Sequence, residues 1–84
     1  KNDVMMIKFF APWSGHCKHL APKYEEAATR LKGIVTMAEV DCSLQVDLCL
    51  KYEIMGHPSL LVFRHSEPYF FYDGQRDADS LVSL

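Results

Sequence analysis

The stretch KFFAPWSGHCKHLAPKYEEAA, Lys8–Ala28, joins two patterns that together predict the local fold. Its first residues end an apolar run, VMMIKFF at Val4–Phe10, which predicts a buried strand with one lysine in it. Pro12 and Gly15 then interrupt the run, as expected of a turn. The stretch therefore predicts a strand, a turn and a helix in direct succession.

The predicted helix begins just after Ser14, whose hydroxyl is well placed to cap its first turn. From His16 to Gly33, apolar residues recur at helical spacing, and the Lys-Gly pair at the end predicts a stop. Pro22 falls inside this segment and is expected to kink it.

The rest of the chain alternates between short strands and helices. In order, the patterns predict a strand at Ile34–Asp41, a helix at Ser43–Tyr52 capped by Ser43, strands at Ser59–Arg64 and Pro68–Asp73 joined by a turn at 65–67, and a final helix over Asp77–Leu84. This order implies parallel pairing of the first three strands and an antiparallel hairpin at the end. The expected fold class is α/β, with a mixed central sheet flanked by helices on both faces.

Composition narrows the possible functions. The chain has 84 residues, enough for one domain, and its net charge is −2 with both signs interspersed. That balance argues against nucleic acid or an anionic membrane surface as the main partner. No stretch approaches the roughly 20 apolar residues that a membrane-spanning helix needs.

Cys17 lies three residues after Ser14, at the predicted junction of strand and helix. A thiol at such a junction lies near the positive end of the helix dipole, which favours a thiolate. Two thiols at this spacing would share one helix face and could close a small disulfide. The chain has three cysteines, so a single disulfide could form in three ways.

These residues resemble a known family. Lys8–Ala28 is similar to the active-site segment of protein disulfide isomerases, whose usual form is Ala-Pro-Trp-Cys-Gly-His-Cys-Lys. The segment VDCSLQVDLCLKYEIMGHPSLLVF, Val40–Phe63, resembles the second-helix and cis-proline region of that family, and Tyr72–Leu84 resembles its last strand and final helix. The likeness is greatest to the glycoprotein-specific, calnexin-associated members and to those built from three thioredoxin units.

The resemblance implies a thioredoxin-like fold, with residues 1–84 forming one truncated domain. A first strand and helix would precede Lys1, and most of the last helix would follow Leu84. It also implies thiol–disulfide exchange on folding secretory polypeptides in the lumen of the endoplasmic reticulum, within a larger multidomain protein. No cofactor and no direct membrane contact are expected of this domain.

The catalytic positions of the family fall on five residues. Ser14 occupies the place of the attacking cysteine, and Cys17 that of the resolving cysteine. Gly15 and His16 form the dipeptide that, in the family, tunes the first cysteine. Arg76 matches an arginine that, in the family, is proposed to move toward the active site.

Substrate contacts are implied for Trp13, for Pro58 as the cis-proline, and for His57 before it. Cys42 and Cys49 match a structural disulfide of some members, which suits an oxidising compartment. Lys8 departs from the family, because many relatives carry a buried acid there. A lysine at that position must reach solvent or be neutralised.

Other chemistries fit less well. No Gly-x-Ser-x-Gly pattern surrounds Ser14, which argues against a hydrolase. His16, Cys17, His19 and His57 offer metal-binding atoms, but their spacing matches no zinc pattern. Two hypotheses stay open: an oxidoreductase or isomerase in which Ser14 is an engineered replacement, and a natural, redox-silent module that binds unfolded chains.

Overall fold

The computed structural model describes residues 3–83, so the predicted end of the last helix at Leu84 lies outside the described residues. Its elements in chain order are β1 Val4–Phe10, α1 Gly15–Arg30, β2 Thr36–Asp41, α2 Val46–Lys51, β3 Ser59–Arg64, β4 Glu67–Phe71 and α3 Ala78–Val82. This order confirms the predicted succession of strands and helices. The bounds of β2 and α2 are shorter than the sequence patterns suggested.

The four strands form one mixed sheet in the order β2-β1-β3-β4. β1 pairs with β2 in parallel, while β3 runs antiparallel to both β1 and β4. The prediction that β3 is parallel to β1 was therefore wrong. α2 has six residues and is about 9 Å long, too short to carry the chain back along the sheet. β3 consequently starts at the edge where β2 ends.

α1 follows its sequence signals closely. Ser14 is the N-cap, with backbone angles of φ −79° and ψ 126°, and the helix continues through Pro22 to Arg30. Gly33, with φ +84°, lies in the turn that leads into β2. The buried side chains of α1 recur at spacings of three and four residues: Cys17, Leu20, Tyr24 and Ala27. That stripe holds α1 against the sheet.

α2 does not begin where the sequence suggested. Ser43 is not its N-cap, since the capping position is Gln45, which makes no side-chain capping bond. The amide and hydroxyl of Ser43 instead donate to the Asp41 carboxylate, at 2.9 and 2.6 Å. Because Ser43 bonds to the Asp41 carboxylate, its hydroxyl does not cap α2. The chain makes a short turn here, and the helix begins only at Val46.

The core has one cluster on each face of the sheet, which confirms helices on both faces. The α1-side cluster contains Met6, Leu20, Tyr24, Ala27, Leu60, Val62 and Leu81. The α2-side cluster contains Phe9, Cys49, Leu61 and Phe63. Alternate residues of β1 and β3 supply the two faces, as the period of a strand requires. The fold is therefore the predicted thioredoxin-like α/β arrangement.

Candidate functional site

The Ser14–Cys17 turn forms where β1 ends and α1 begins. The Ser14 amide donates to the Ala11 carbonyl at 3.1 Å, which folds the chain back before the helix starts. The Ser14 hydroxyl then accepts from the Cys17 amide at 3.3 Å. Cys17 is only 4% exposed. The two predicted catalytic positions are thus brought together by a hydrogen bond in the first turn of α1, and the side chain of Cys17 is buried.

The residues between and before these two positions are open to solvent. Trp13 is 69% exposed, and His16 and Gly15 are also exposed. A Cβ atom added at Gly15 would meet nothing within 4 Å, so local space does not require glycine there. Trp13 and His16 are accordingly available for contact with a bound polypeptide.

The His57–Pro58 loop reaches the same edge of the sheet. The peptide bond before Pro58 is cis, as the family resemblance implied. Ser59, the next residue, pairs with Phe9 near the end of β1, which brings the loop to the end of β1 that leads into Ser14. His57 is half-buried and Pro58 is buried.

Arg76 lies beside this loop. Its Nη2 donates to the Pro58 carbonyl at 3.2 Å. Arg76, Pro58, Met55 and Phe71 are among the residues lining a cleft of about 270 Å³. The structure therefore places the predicted catalytic arginine against the backbone of the cis-proline loop.

The comparisons with known proteins agree with this geometry. The sequence profile of the thioredoxin family matches residues 1–84. The chain belongs to the thioredoxin family. As a thioredoxin domain it is 54% identical, over 99% of its length, to protein disulfide-isomerase A3 of Gallus gallus. It is 49% identical, over 98% of its length, to a protein disulfide-isomerase of Humicola insolens.

Solved structures of related proteins contain the same domain. Human ERp44, in its crystal form I, matches 98% of the chain at 31% identity with a TM-score of 0.93. The J-Trx1 fragment of ERdj5 matches 98% at 30% identity with a TM-score of 0.90. The chain spans 16% of the length of the two isomerases, 24% of the ERp44 chain and 41% of the ERdj5 fragment. The thioredoxin domain is thus similar to one part of each of these larger proteins, two of which are protein disulfide-isomerases.

Lys8 is buried within this thioredoxin domain and is only 4% exposed. Its Nζ lies 3.5 Å from Oε1 of Glu39, its cross-strand neighbour on β2. The same ammonium lies 5.0 Å from the centre of the Tyr24 ring and 5.2 Å from that of Phe10. Of the two expected outcomes for this lysine, reaching solvent or being neutralised, the structure shows the second: a carboxylate and two aromatic faces replace the water that the ammonium loses.

Tyr24 ties α1 to the two parallel strands. Its single hydroxyl proton is shared between the Ala38 carbonyl at 2.8 Å and the Met6 carbonyl at 3.1 Å. Burial, followed by the negative charge of Glu39, raises the pKa of this hydroxyl well above its ordinary value. The phenol is therefore held in its neutral, donating form.

The disulfide between Cys42 and Cys49 is present, with 5.8 Å between the two Cα atoms. It links the turn after β2 to α2, as the resemblance implied. Cys17 is the remaining free thiol and is buried. The three possible pairings are thereby reduced to one.

Sequence reasoning missed two contacts at this site. Glu39 was not recognised as the partner of Lys8, because the pairing depends on the register between β1 and β2. The bond from Arg76 to Pro58 joins residues 18 apart across a hairpin, and no local pattern signals it.

Among residues 3–83, no group of three or more His, Cys, Asp or Glu residues is arranged to hold a metal ion. Within the same range, no helix has the length and apolar character needed to cross a bilayer.

Proposed function

We propose that this chain is an isomerase-type thioredoxin domain that binds unfolded, cysteine-containing secretory polypeptides and whose redox cycle is disabled at Ser14. The observation that carries the proposal is the position of the Ser14 hydroxyl. It lies at the start of α1 and accepts from the Cys17 amide at 3.3 Å, where the family has its attacking thiol. A serine hydroxyl is a weak nucleophile at neutral pH and forms no disulfide.

The chemistry that the scaffold suits is thiol–disulfide exchange. A thiolate at position 14 would attack a substrate disulfide, forming a mixed disulfide and releasing one substrate thiolate. Cys17, after losing its proton, would attack the sulfur at position 14 and release the second substrate thiolate. Two electrons would pass to the substrate, and the domain would hold the new disulfide. With Ser14 the first bond never forms, so Cys17 has nothing to resolve.

The direct experiment is insulin reduction with dithiothreitol as the electron source. We expect no catalysis above the uncatalysed rate with Ser14, and clear catalysis by the Ser14→Cys variant. A matched control is Ser83→Cys, which adds a thiol at an exposed position at the end of α3. This control should remain inactive, because its thiol lies outside the turn between β1 and α1.

The outcomes separate the two hypotheses. Activity in Ser14→Cys alone supports a redox scaffold that lacks one sulfur atom. Inactivity in both proteins supports a module that only binds polypeptides. Catalysis by the unchanged protein would refute the proposal that Ser14 disables it.

The binding role has its own support in the exposed apolar side chains near the site. Trp13 is 69% exposed and follows β1, which ends at the sheet edge that carries Ser14. Met55 is 93% exposed and precedes β3, which begins at the same edge. Unfolded polypeptides expose apolar side chains that such a surface can cover. Binding through this edge requires no nucleophile at position 14.

We also propose that residues 1–84 are one truncated thioredoxin domain of a larger protein in the lumen of the endoplasmic reticulum. The disulfide between Cys42 and Cys49 suits an oxidising compartment. The 54% identity to protein disulfide-isomerase A3 supports a place among the protein disulfide isomerases. An antibody against this chain should colocalise with a lumenal marker, and cytosolic staining would contradict the proposal.

A further inference from the structure

We propose that Arg76 is a positioning residue, which holds the His57–Pro58 loop in the conformation that receives substrate. This inference rests on the proposed function for its consequence in binding. The contact itself is the bond from Arg76 Nη2 to the Pro58 carbonyl at 3.2 Å. A guanidinium offers five N–H donors, so this bond leaves others available to neighbouring groups.

The arginine comes from a well-anchored turn between β4 and α3. The Tyr72 amide donates to the Leu60 carbonyl at 2.8 Å, which continues the pairing of β3 with β4. The Tyr72 hydroxyl donates to the Gln75 carbonyl at 2.5 Å. A Cβ atom at Gly74 would lie 2.6 Å from that hydroxyl, so the turn closes tightly over the tyrosine ring.

The next residue along, Asp77, secures the other side of the turn. Its carboxylate caps α3 by accepting from the Ser80 amide at 3.1 Å and from the Ser80 hydroxyl at 2.8 Å. These bonds, led by the one from the hydroxyl, lower the pKa of Asp77 and keep it ionised. Arg76 thus lies between two fixed points, Tyr72 and Asp77.

The loop that Arg76 contacts has fewer restraints of its own. The Ile54 amide donates to the Cys49 carbonyl at 3.0 Å before the loop begins. Within the loop, the Ser59 hydroxyl donates to the Gly56 carbonyl at 2.6 Å. Met55, by contrast, is almost fully exposed. A bond from a rigid turn to the Pro58 carbonyl therefore restrains the loop where it meets β3.

The position of this restraint gives it a role in binding. Pro58 adjoins His57, one of the proposed substrate contacts, and Arg76 also lines the cleft beside it. A loop held in one conformation loses less entropy when a polypeptide binds. Removing the donor of this bond should weaken binding without changing the chemistry at position 14.

The test compares Arg76→Met with Arg76→Lys, using the fluorescence of Trp13, the one tryptophan in the chain. The probe is a synthetic, cysteine-free peptide rich in aromatic and aliphatic residues, with a dansyl acceptor. We expect Arg76→Met to raise the Kd about three- to tenfold, because only part of the free energy of the lost hydrogen bond reaches the binding equilibrium through the loop. Arg76→Lys retains a charged donor and should recover most of the affinity.

The matched control is Arg64→Met, which removes the same charge from an exposed residue at the far end of β3. It should leave the Kd unchanged.

A second readout is the pH profile of insulin reduction in the Ser14→Cys background. A positioning role predicts that Arg76→Met leaves this profile unshifted, whereas a role through charge on the thiols predicts a shift. An unchanged Kd in Arg76→Met, or a Kd that rises equally in Arg64→Met, would overturn the inference.

Hydrogen exchange separates this inference from the proposed function. In Arg76→Met, the backbone amides of His57 and Ser59 should exchange faster than in the unchanged protein, whether or not a peptide is present. If the unchanged protein binds no peptide, the proposed binding function fails while faster exchange still supports the restraint. If exchange is the same in both proteins, the restraint itself is refuted.

Discussion

At the scale of single residues, two side chains stand out in this domain: the Ser14 hydroxyl caps α1, and the Lys8 ammonium is buried in the interior. The structure accommodates the ammonium with Glu39 on one side and the rings of Tyr24 and Phe10 on others. The cost of burying this charge is thereby offset locally.

The ion pair between Lys8 and Glu39 predicts a specific pattern of stabilities. Glu39→Gln should lower the free energy of unfolding by about 1 kcal/mol, because the pair is buried on one side only. In a Lys8→Met background the same change should cost almost nothing. Urea denaturation of the four proteins measures this coupling, and an equal cost of Glu39→Gln in both backgrounds would show that the pair contributes nothing.

Tyr24 predicts a dependence of stability on alkaline pH. The folded state raises the pKa of this hydroxyl, mainly through burial, whereas in the unfolded chain it ionises near pH 10, at about its ordinary value. Above that pH the unfolded chain loses a proton that the folded chain keeps. Stability is therefore fully present below about pH 10 and falls as the pH rises beyond it.

Tyr24→Phe should remove that contribution. At neutral pH the variant should be less stable by about 1–2 kcal/mol, since the bonds to Met6 and Ala38 are lost. Its stability should then fall less between about pH 8 and pH 10.5 than that of the unchanged protein. Urea midpoints at the two pH values give the comparison, and parallel declines would contradict the assignment to Tyr24.

At the scale of elements, α2 shows how a short helix changes the topology. Its six residues cannot return the chain along the sheet, so β3 is antiparallel to β1. The disulfide between Cys42 and Cys49 fastens this short helix to the end of β2. With α2 fixed, the loop that follows meets the start of β3 at the edge of the sheet where β1 leads into Ser14.

Reduction of that disulfide should destabilise the domain by about 2–3 kcal/mol, as the chain-entropy account predicts for so short a loop. Thermal unfolding with and without dithiothreitol measures the effect as a fall in Tm. The double variant Cys42→Ser/Cys49→Ser should have the same lowered Tm with and without dithiothreitol. If dithiothreitol lowers the Tm of this variant as well, the effect comes from another source.

At the scale of the whole molecule, the ends of β1 and β2 and the start of β3 meet at one edge. Trp13 follows β1 there, and Met55 lies in the loop before β3. Ile34 precedes β2 and is therefore at the opposite edge, although it is also 61% exposed. Substitutions of Trp13 and Met55 therefore test the proposed binding edge, and a substitution of the equally apolar Ile34 at the opposite edge is the control.

Trp13→Ala and Met55→Ala should each weaken binding of a reduced, unfolded polypeptide about three- to tenfold, because each removes exposed apolar area from the proposed site. Ile34→Ala should leave the affinity unchanged. Isothermal titration calorimetry suits the comparison, since it does not depend on the tryptophan. Equal losses in all three variants would indicate non-specific hydrophobic association.

The sequence alone determined the succession of elements and the cap at Ser14, because each depends on residue spacing over a short stretch, and the family resemblance located the cis-proline. The tertiary structure alone decided the direction of β3, the partner of Lys8 and the contact from Arg76 to Pro58. These features join residues far apart in the chain, and they depend on strand register and on the length that α2 reaches in the folded state. Local sequence patterns do not determine which distant residues come into contact, whereas the packing of the folded sheet does.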